Sequence, residues 1–271
     1  MIVDFHSHTR ESDGTLSPAE LCGAMQKRGV AVFSITDHDT LAAYDGLSVP
    51  EGMRAVVGIE VNTSYRGNEV HVLGFGVRRH DERFNRLLEH NVTARRARIE
   101  RIVQQLQTAG FAITFEQVLA EAGPARPLGR PHVGKALIRH GHVSDIETAF
   151  RTLLRYGKPG YVAATHITPH EAISEITAAG GFPVLAHPVR LHDYAIIDEL
   201  ASAGLRGIEV FYPTHAASQI AHFRETAQRL GLLMTGGSDF HDLRYNTRGV
   251  GMDVASQDIE PFLDAVSALT R

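Results

Sequence analysis

Short apolar runs separated by amphipathic stretches make up most of this chain. Met1–Phe5 predicts a strand, and further strand-like runs follow at Val30–Thr36, Ala55–Val61 and Val70–Phe75. Between the first two, Ser17-Pro18-Ala19-Glu20 predicts a helix start. Ser stands at the N-cap, Pro at the first helical position, and Glu three residues on completes a capping box. Leu21 and Met25 lie one turn apart on its apolar face, and Gly29 is placed to end it. From about Asp81 the pattern changes. Asp81–Ala109 predicts one long amphipathic helix closed by Gly110, and Phe115–Ala122, Pro131–His140 and Asp145–Tyr156 predict further helices with no strand among them. After Tyr161 the alternation resumes, with helix Pro169–Ala179, strand Pro183–Ala186, helix Tyr194–Ala203 and strand Gly207–Phe211. Helix Ala216–Leu230, strand Leu232–Thr235 and a last helix over Ile259–Leu269 complete it.

Repeated strand–helix units imply an α/β fold with a parallel sheet, most simply a TIM-like barrel. In this reading residues 1–84 and 161–271 form the barrel, and 85–160 are a small helical insertion. The 271 residues, 43% hydrophobic and 21% charged, suffice for a sizeable core without covalent staples. The single cysteine, Cys22, excludes an internal disulfide and favours a reducing compartment; among apolar helix neighbours it reads as packing. No stretch nears the roughly 18 apolar residues of a membrane span, and the start lacks a leader's basic-then-apolar pattern. A cytoplasmic protein without membrane association is expected. The net charge of −4 is unevenly spread: residues 81–160 carry 13 Lys and Arg against 8 Asp and Glu, the remainder 14 against 23. A basic segment beside an acidic body suits a molecule that gathers cations on one part and greets an anion with the other.

The 16 histidines, over half the number of Lys and Arg together, direct attention to the strand ends. His6 and His8 follow the first strand, Asp37 and His38 follow AVFSIT, and Glu60 follows AVVGI. His187 follows FPVLA, Glu209 follows RGI, and Asp239 with His241 follow LLMTGGS. In a parallel α/β barrel these ends meet on one face, where such enzymes build their active sites. Residues i and i+2 of an extended chain point the same way, so His6 with His8, and Asp239 with His241, can each reach one cation. Asp37 and His38 point apart unless the chain turns, which gives them different roles. His71, in NEVHVLGFG, is an exception because it stands near the start of its run. Imidazole and carboxylate ligands without thiolates suit Zn²⁺, Mn²⁺ or Fe²⁺. The candidates exceed what one metal needs, and cations about 3.5–4 Å apart clamp the attacking and leaving oxygens of a phosphoester. Metal-assisted hydrolysis is the expected reaction class.

HSHT (His6–Thr9), TDHD (Thr36–Asp39), GIE (Gly58–Glu60), AHP (Ala186–Pro188) and SDFH (Ser238–His241) resemble, in order and over nearly the whole chain, the PHP (polymerase and histidinol phosphatase) family of the amidohydrolase superfamily. The resemblance implies a distorted (β/α)7 barrel with a trinuclear metal site. It implies one metal on His6, His8, Glu60 and Asp239, with Glu60 bridging to a second held by His71 and His187. Asp13, His38 and His241 would hold the third. Many relatives carry His where this chain has Asp13, so the third site is where it departs from the pattern. Glu209 matches no ligand of the family and is expected to support the site from behind, while Asp37 is expected to orient a ligand histidine. Two or three divalent ions are implied, Mn²⁺ first, with Zn²⁺ or Fe²⁺ as alternatives.

GRPH (Gly129–His132) and GKPGYV (Gly157–Val162) in the helical segment look like a subgroup of 3′,5′-nucleotide bisphosphate phosphatases, which remove the 3′-phosphate of substrates such as pAp. Related members are 5′→3′ exoribonucleases on short RNAs. On this resemblance Arg130 grips phosphate bidentately, and His132 adds a hydrogen bond or protonates an oxygen. Lys158 is a further phosphate contact, and Tyr161 stacks on or hydrogen-bonds the nucleoside. A histidinol-phosphate phosphatase shares the metal site, but its cationic substrate is repelled by a basic pocket. A regulatory module without turnover has no need of so full a ligand set. The implied partner is a small nucleotide, with short RNA as the alternative; no obligate protein partner is evident.

Overall fold

In the computed structural model, which describes residues 1–123, 127–244 and 248–269, the strands fall into two sheets. The first has β1 (Ile2–Asp4) paired in parallel with β2 (Val32–Phe33), which pairs in parallel with β3 (Arg54–Ala55). A short β9 (Met252–Asp253), absent from the sequence reading, runs antiparallel on the other side of β1. The second sheet has the order β4 (Gly58–Tyr65), β5 (Asn68–Phe75), β6 (Phe182–Leu185), β7 (Gly207–Phe211), β8 (Leu233–Gly236). Here the expectation of an all-parallel sheet is corrected. β5 is antiparallel to both β4 and β6, and only β6–β7 and β7–β8 are parallel. The cause is local: Arg66 (φ 50°) and Gly67 (φ 80°) are both left-handed, forming the two-residue turn whose twist matches a hairpin.

The reversal of β5 explains the exceptional position of His71. Because the strand runs backwards, its first residues lie beside the last residues of β4 and β6. His71 pairs with Asn62, and its carbonyl accepts from Ala186 N at 3.1 Å. A residue early in its own strand thereby reaches the face used by the strand ends.

The sheets meet at two seams rather than closing into one continuous ladder. At one, Phe5 N donates to Gly236 O (3.0 Å), Asp239 N to His6 O (2.7 Å), and Ser7 bridges Phe240. At the other, His38 bridges Glu60 and Asp39 N donates to Glu60 O (3.0 Å). Gly237 is required at the first seam, since a Cβ there would collide with the His6 backbone and Cβ. Phe262, on α9 (Ser256–Leu269), packs edge-on against Phe5, Phe75 and Phe182 at 5.0–5.8 Å, tying both sheets to one core.

Helix signals are well obeyed. On α1 (Pro18–Arg28) the Ser17–Glu20 capping box forms and Gly29 is left-handed. The long helix is α2 (Glu82–Thr108), capped by Asp81, and α3 (Phe115–Ala122) matches its expected bounds. α4 (Arg130–Arg139) follows one residue early, whereas α5 (Ile146–Ala149) is shorter than expected and passes into a π turn over Phe150–Leu154. α6 (Pro169–Ala178), α7 (Ile196–Ser202) and α8 (Ala217–Leu230) alternate with the later strands. Two apolar clusters result. Phe84 and Leu88, early on α2, join the core of the sheets; Ile99, Ile102, Val103 and Leu106 join a second core with Val118, Val133, Leu137 and Leu154. Between them, still buried, α2 carries Asn91, Arg95 and Arg98. Those three face the strand-end residues.

Candidate metal centre

At the strand ends His6 Nε2 and His8 Nε2 converge on two carboxylate oxygens. Glu60 Oε2 lies 3.3 and 3.2 Å from them, and Asp239 Oδ1 lies 3.4 and 3.3 Å away. The other oxygen of Glu60, Oε1, lies 2.7 Å from His71 Nδ1 and 3.0 Å from His187 Nε2. Asp13 lies 3.2 Å from His241 Nε2 and 3.7 Å from His38 Nε2, with His8 Nδ1 at 3.9 Å. The nine expected ligands therefore gather at one place. Three groups of them bring their donor atoms within 4.8 Å of one another: His6, His8, Glu60, Asp239; His8, Asp13, His38, His241; and His38, Glu60, His71.

Their environment suits cations. His6 Nε2, both ring nitrogens of His8 and Glu60 Oε2 are buried and have no hydrogen-bond partner, an arrangement that costs free energy unless a ligand satisfies it. Without metal, protons partly serve. Burial works against charge on His6 and His8, but the facing carboxylates prevail: His6 is raised well above the ordinary histidine value and His8 to about 10. Burial likewise opposes ionisation of Glu60, Asp13 and Asp239, yet the surrounding imidazoles, with Arg190 at Asp239, hold all three well below the usual carboxylate range. His187 is pushed down to about 3 by burial and then by Arg190. Divalent ions of the expected kind would displace the protons from such a set. The backbone is also under local constraint, because His187 (φ 27°) and Asp239 (φ 48°) are left-handed without being glycine.

Behind this layer Glu209 proves more important than the sequence suggests. Both its oxygens lie 3.1–3.2 Å from His6 Nδ1, and Oε2 accepts from His187 N at 2.7 Å. It thus fixes the His6 ring with Nε2 toward Glu60 and Asp239. Asp37, expected to orient a histidine, instead accepts from Thr9 N (2.7 Å), Thr9 Oγ1 (2.6 Å) and Ser12 Oγ (2.5 Å). The chain does turn at this point, and the carboxylate braces the loop that carries Asp13. Tyr212 OH and Arg190 Nη2 both donate to Asp239 Oδ2, at 2.7 and 2.8 Å. Neither was expected; both directly follow strand-end motifs, which is the only signal they offer.

The helices between β5 and β6 supply most of the facing wall. Glu69, on β5, binds Arg98 and, at 2.5 Å, Arg130 Nη2. Burial opposes ionisation of Glu69, but these guanidinium groups hold it far below its ordinary value. Arg95 donates to Leu128 O at 2.7 Å and lies 3.6 Å from Asp39, which also accepts from Asn91 and Asn62. Their sequence signal was the spacing Asn91, Arg95, Arg98, three polar residues on the helix's buried stripe. His132 is buried; its Nδ1 accepts from Gly129 N at 3.0 Å, it also hydrogen-bonds the Ser12 backbone, and burial lowers it to about 4. Lys135 Nζ donates to Asp13 O at 3.1 Å. Lys158 is exposed and Tyr161 half-buried. His166, unnoticed in the sequence, is half-buried with Nδ1 buried and unpartnered, and burial, then Arg95 and Arg98, lower it to about 3.

No family model matches the chain. It is, however, 33% identical over 271 residues to a 3′,5′-nucleoside bisphosphate phosphatase of Chromobacterium violaceum, covering 96% of this chain and 93% of that one. The chain belongs to the PHP family of metal-dependent phosphoesterases. As a family member it is a phosphoester hydrolase. A phosphoribosyl 1,2-cyclic phosphate 1,2-diphosphodiesterase of Eggerthella lenta is 32% identical over 89% of this chain and 94% of its own. A 5′-3′ exoribonuclease of Haemophilus influenzae is 30% identical over 88% and 89%. Among solved structures, an amidohydrolase of C. violaceum with bound sulfate and no metal superposes with a TM-score of 0.86 at 30% identity, covering 97% of this chain and 96% of that one. A metal-dependent phosphoesterase of Bifidobacterium adolescentis gives 0.80 at 32%, covering 88% and 87%.

Proposed function

We propose that this PHP-family chain removes the 3′-phosphate from nucleotides phosphorylated at both the 3′ and 5′ positions, leaving the 5′-nucleotide and phosphate. One observation carries the reading: a buried set of metal-type donors stands against a wall of guanidinium groups, Arg95, Arg98 and Arg130, supplied by the helical segment. Such a site takes one phosphoryl group at the donors and a second anion at the wall. The relatives named for nucleoside bisphosphates and RNA agree with it. In this reading the two sheets stand for an incompletely closed (β/α)7 barrel, and residues 85–160 form a substrate-binding subdomain. A reducing, cytoplasmic setting accords with one buried free cysteine and with no described helix long and apolar enough to cross a membrane.

His6, His8, Glu60 and Asp239 would hold one divalent ion, Glu60 with His71 and His187 a second, and Asp13, His38 and His241 a third, with Mn²⁺ the expected metal. When bound, such ions activate water and stabilise the charge that develops on phosphoryl oxygens. The protein's own groups do the rest. Glu209 keeps His6 in one tautomer and Asp37 keeps Asp13 in place. Arg130 exchanges its contact with Glu69 for a bidentate grip on the second phosphate, with Lys158 beside it and Tyr161 against the nucleoside. His132 fixes the first turn of α4, and for it to reach the substrate as a donor it must release Ser12.

Trimming of short 5′-phosphorylated RNA is the second reading, favoured by the basic face of the insertion. Mn²⁺-loaded protein should release phosphate from pAp faster than from a mononucleotide with one phosphate, and leave histidinol phosphate intact. Faster turnover of a short RNA than of pAp would install the second reading. Replacing His8→Ala should remove metal and nearly all turnover; wild-type activity with intact metal content in that variant would show the ligand set to be wrong.

A further inference from the structure

The segment from the π turn to Val162 presents an exposed ring on a fixed backbone. Arg155 N donates to Phe150 O (3.1 Å), Lys158 N to Arg155 O (3.0 Å), Gly160 N to Leu153 O (2.8 Å) and Tyr161 N to Lys158 O (2.9 Å). Gly160 is buried so tightly that a Cβ would lie 2.9 Å from the Leu106 side chain and 3.0 Å from the Leu153 carbonyl. The loop is thereby pinned to the insertion's core. Tyr156 nevertheless stays 83% exposed, the most exposed large hydrophobic side chain among the described residues. Its ring meets Tyr161 edge-on at 5.2 Å.

The positive charge of this segment is only partly offset, by Asp145, on which Arg151 acts. Arg151, Arg155 and Lys158 are exposed, and none is ion-paired with a described residue. Most other exposed arginines of the molecule have an acid beside them, as Arg10 has Glu20 and Arg229 has Asp198. A single exposed tyrosine is unremarkable by itself. A rigidly mounted one, on a segment with three exposed cations that form no ion pair with a described residue, has the features that bind single-stranded nucleic acid: an open π-face for a base and positive charge for the backbone.

We propose that Tyr156, with Arg151, Arg155 and Lys158, is a stacking platform for one further nucleobase of a short single-stranded oligonucleotide, beyond the nucleotide held at Arg130. This deepens the proposed function and rests on it for the position of the first nucleotide. The platform makes oligonucleotides better ligands than mononucleotides without taking part in the chemistry.

The test compares wild type, Tyr156→Ala and Tyr156→Trp in two assays: fluorescence anisotropy with a labelled, 5′-phosphorylated pentaadenylate, and kcat/KM on pAp and on the unlabelled RNA. Tyr156→Ala should weaken RNA binding on the order of tenfold and lower RNA turnover in proportion, leave pAp turnover unchanged, and be rescued by Trp. Arg151→Gln with Arg155→Gln should flatten the salt dependence of RNA binding by about 0.7 per lost phosphate contact. Undiminished RNA binding by Tyr156→Ala, equal losses on pAp and RNA, or a wild type that binds no RNA would each overturn the platform. If wild type binds RNA through Tyr156 but turns over neither pAp nor RNA, the platform stands and the proposed function fails.

Discussion

The strand-end cluster and the insertion wall both bury charge, but by opposite means. In the cluster, imidazole nitrogens and carboxylate oxygens face one another across a shared space, and several are left without partners. In the wall, each charge has its counterpart: Glu69 sits on Arg98 and Arg130, and Asp39 on Arg95 with Asn91 and Asn62. In the proposed reading, divalent cations would complete the first arrangement. The second is complete in itself, and in the same reading would open to an anion that competes with Glu69. In that reading the difference would separate a site that recruits its cofactor from one that selects its substrate.

The harshest way to break the comparison is Glu60→Ala. Glu60 alone touches His6, His8, His38, His71 and His187, so its loss should abolish both metal content and turnover, measured by elemental analysis and phosphate release. Full turnover in this variant would place the chemistry elsewhere. Next in size is Glu209→Gln, which leaves every proposed ligand in place but loosens the His6 tautomer. A fall of about 10–100-fold in metal affinity or activity is expected, with recovery of activity at high Mn²⁺. On the wall, Arg130→Ala should raise KM for pAp by about 10–100-fold while metal content stays at the wild-type level, and Lys should rescue it only in part. Loss of metal in that variant would erase the distinction between the two regions.

The smallest effect expected is on stability. Glu69→Gln leaves Arg98 and Arg130 without their anion and should lower the melting midpoint at pH 7 by about 2–4 °C. Although burial favours the neutral acid, Arg130 and Arg98 hold Glu69 far below the ordinary value of 4.5. A carboxylate with a depressed native value binds fewer protons folded than unfolded. Its contribution is therefore full above that ordinary value and is lost as the pH falls through the native one. The gap between wild type and variant should close on acidification below pH 4.5, followed by circular dichroism. A gap that widens there would show that Glu69 is not held as an anion.

Much of the site was legible because strand ends are where an α/β sheet places its chemistry, and because i, i+2 spacing aligns His6 with His8. His71 was legible as a residue but not as a position. Its place follows from the Arg66-Gly67 turn, a short-range signal that the apolar pattern does not contain. Asp37 was assigned to the wrong neighbour because backbone direction at Thr36–Asp39 decides which partners lie within reach. Arg95 and Arg98 looked like ordinary positions on a basic helix, since a helical stripe shows which residues share a face and not what that face meets.

By itself, the sequence determined most of the helices and strands and the chemical type of the candidate metal-binding residues, which depend on neighbours a few positions away. Tertiary structure alone decided that Glu60 stands at the centre of five imidazoles and that Glu209 supports His6 across 203 residues. Those outcomes depend on which distant segments meet, and burial of polar atoms is a property of that meeting rather than of any residue.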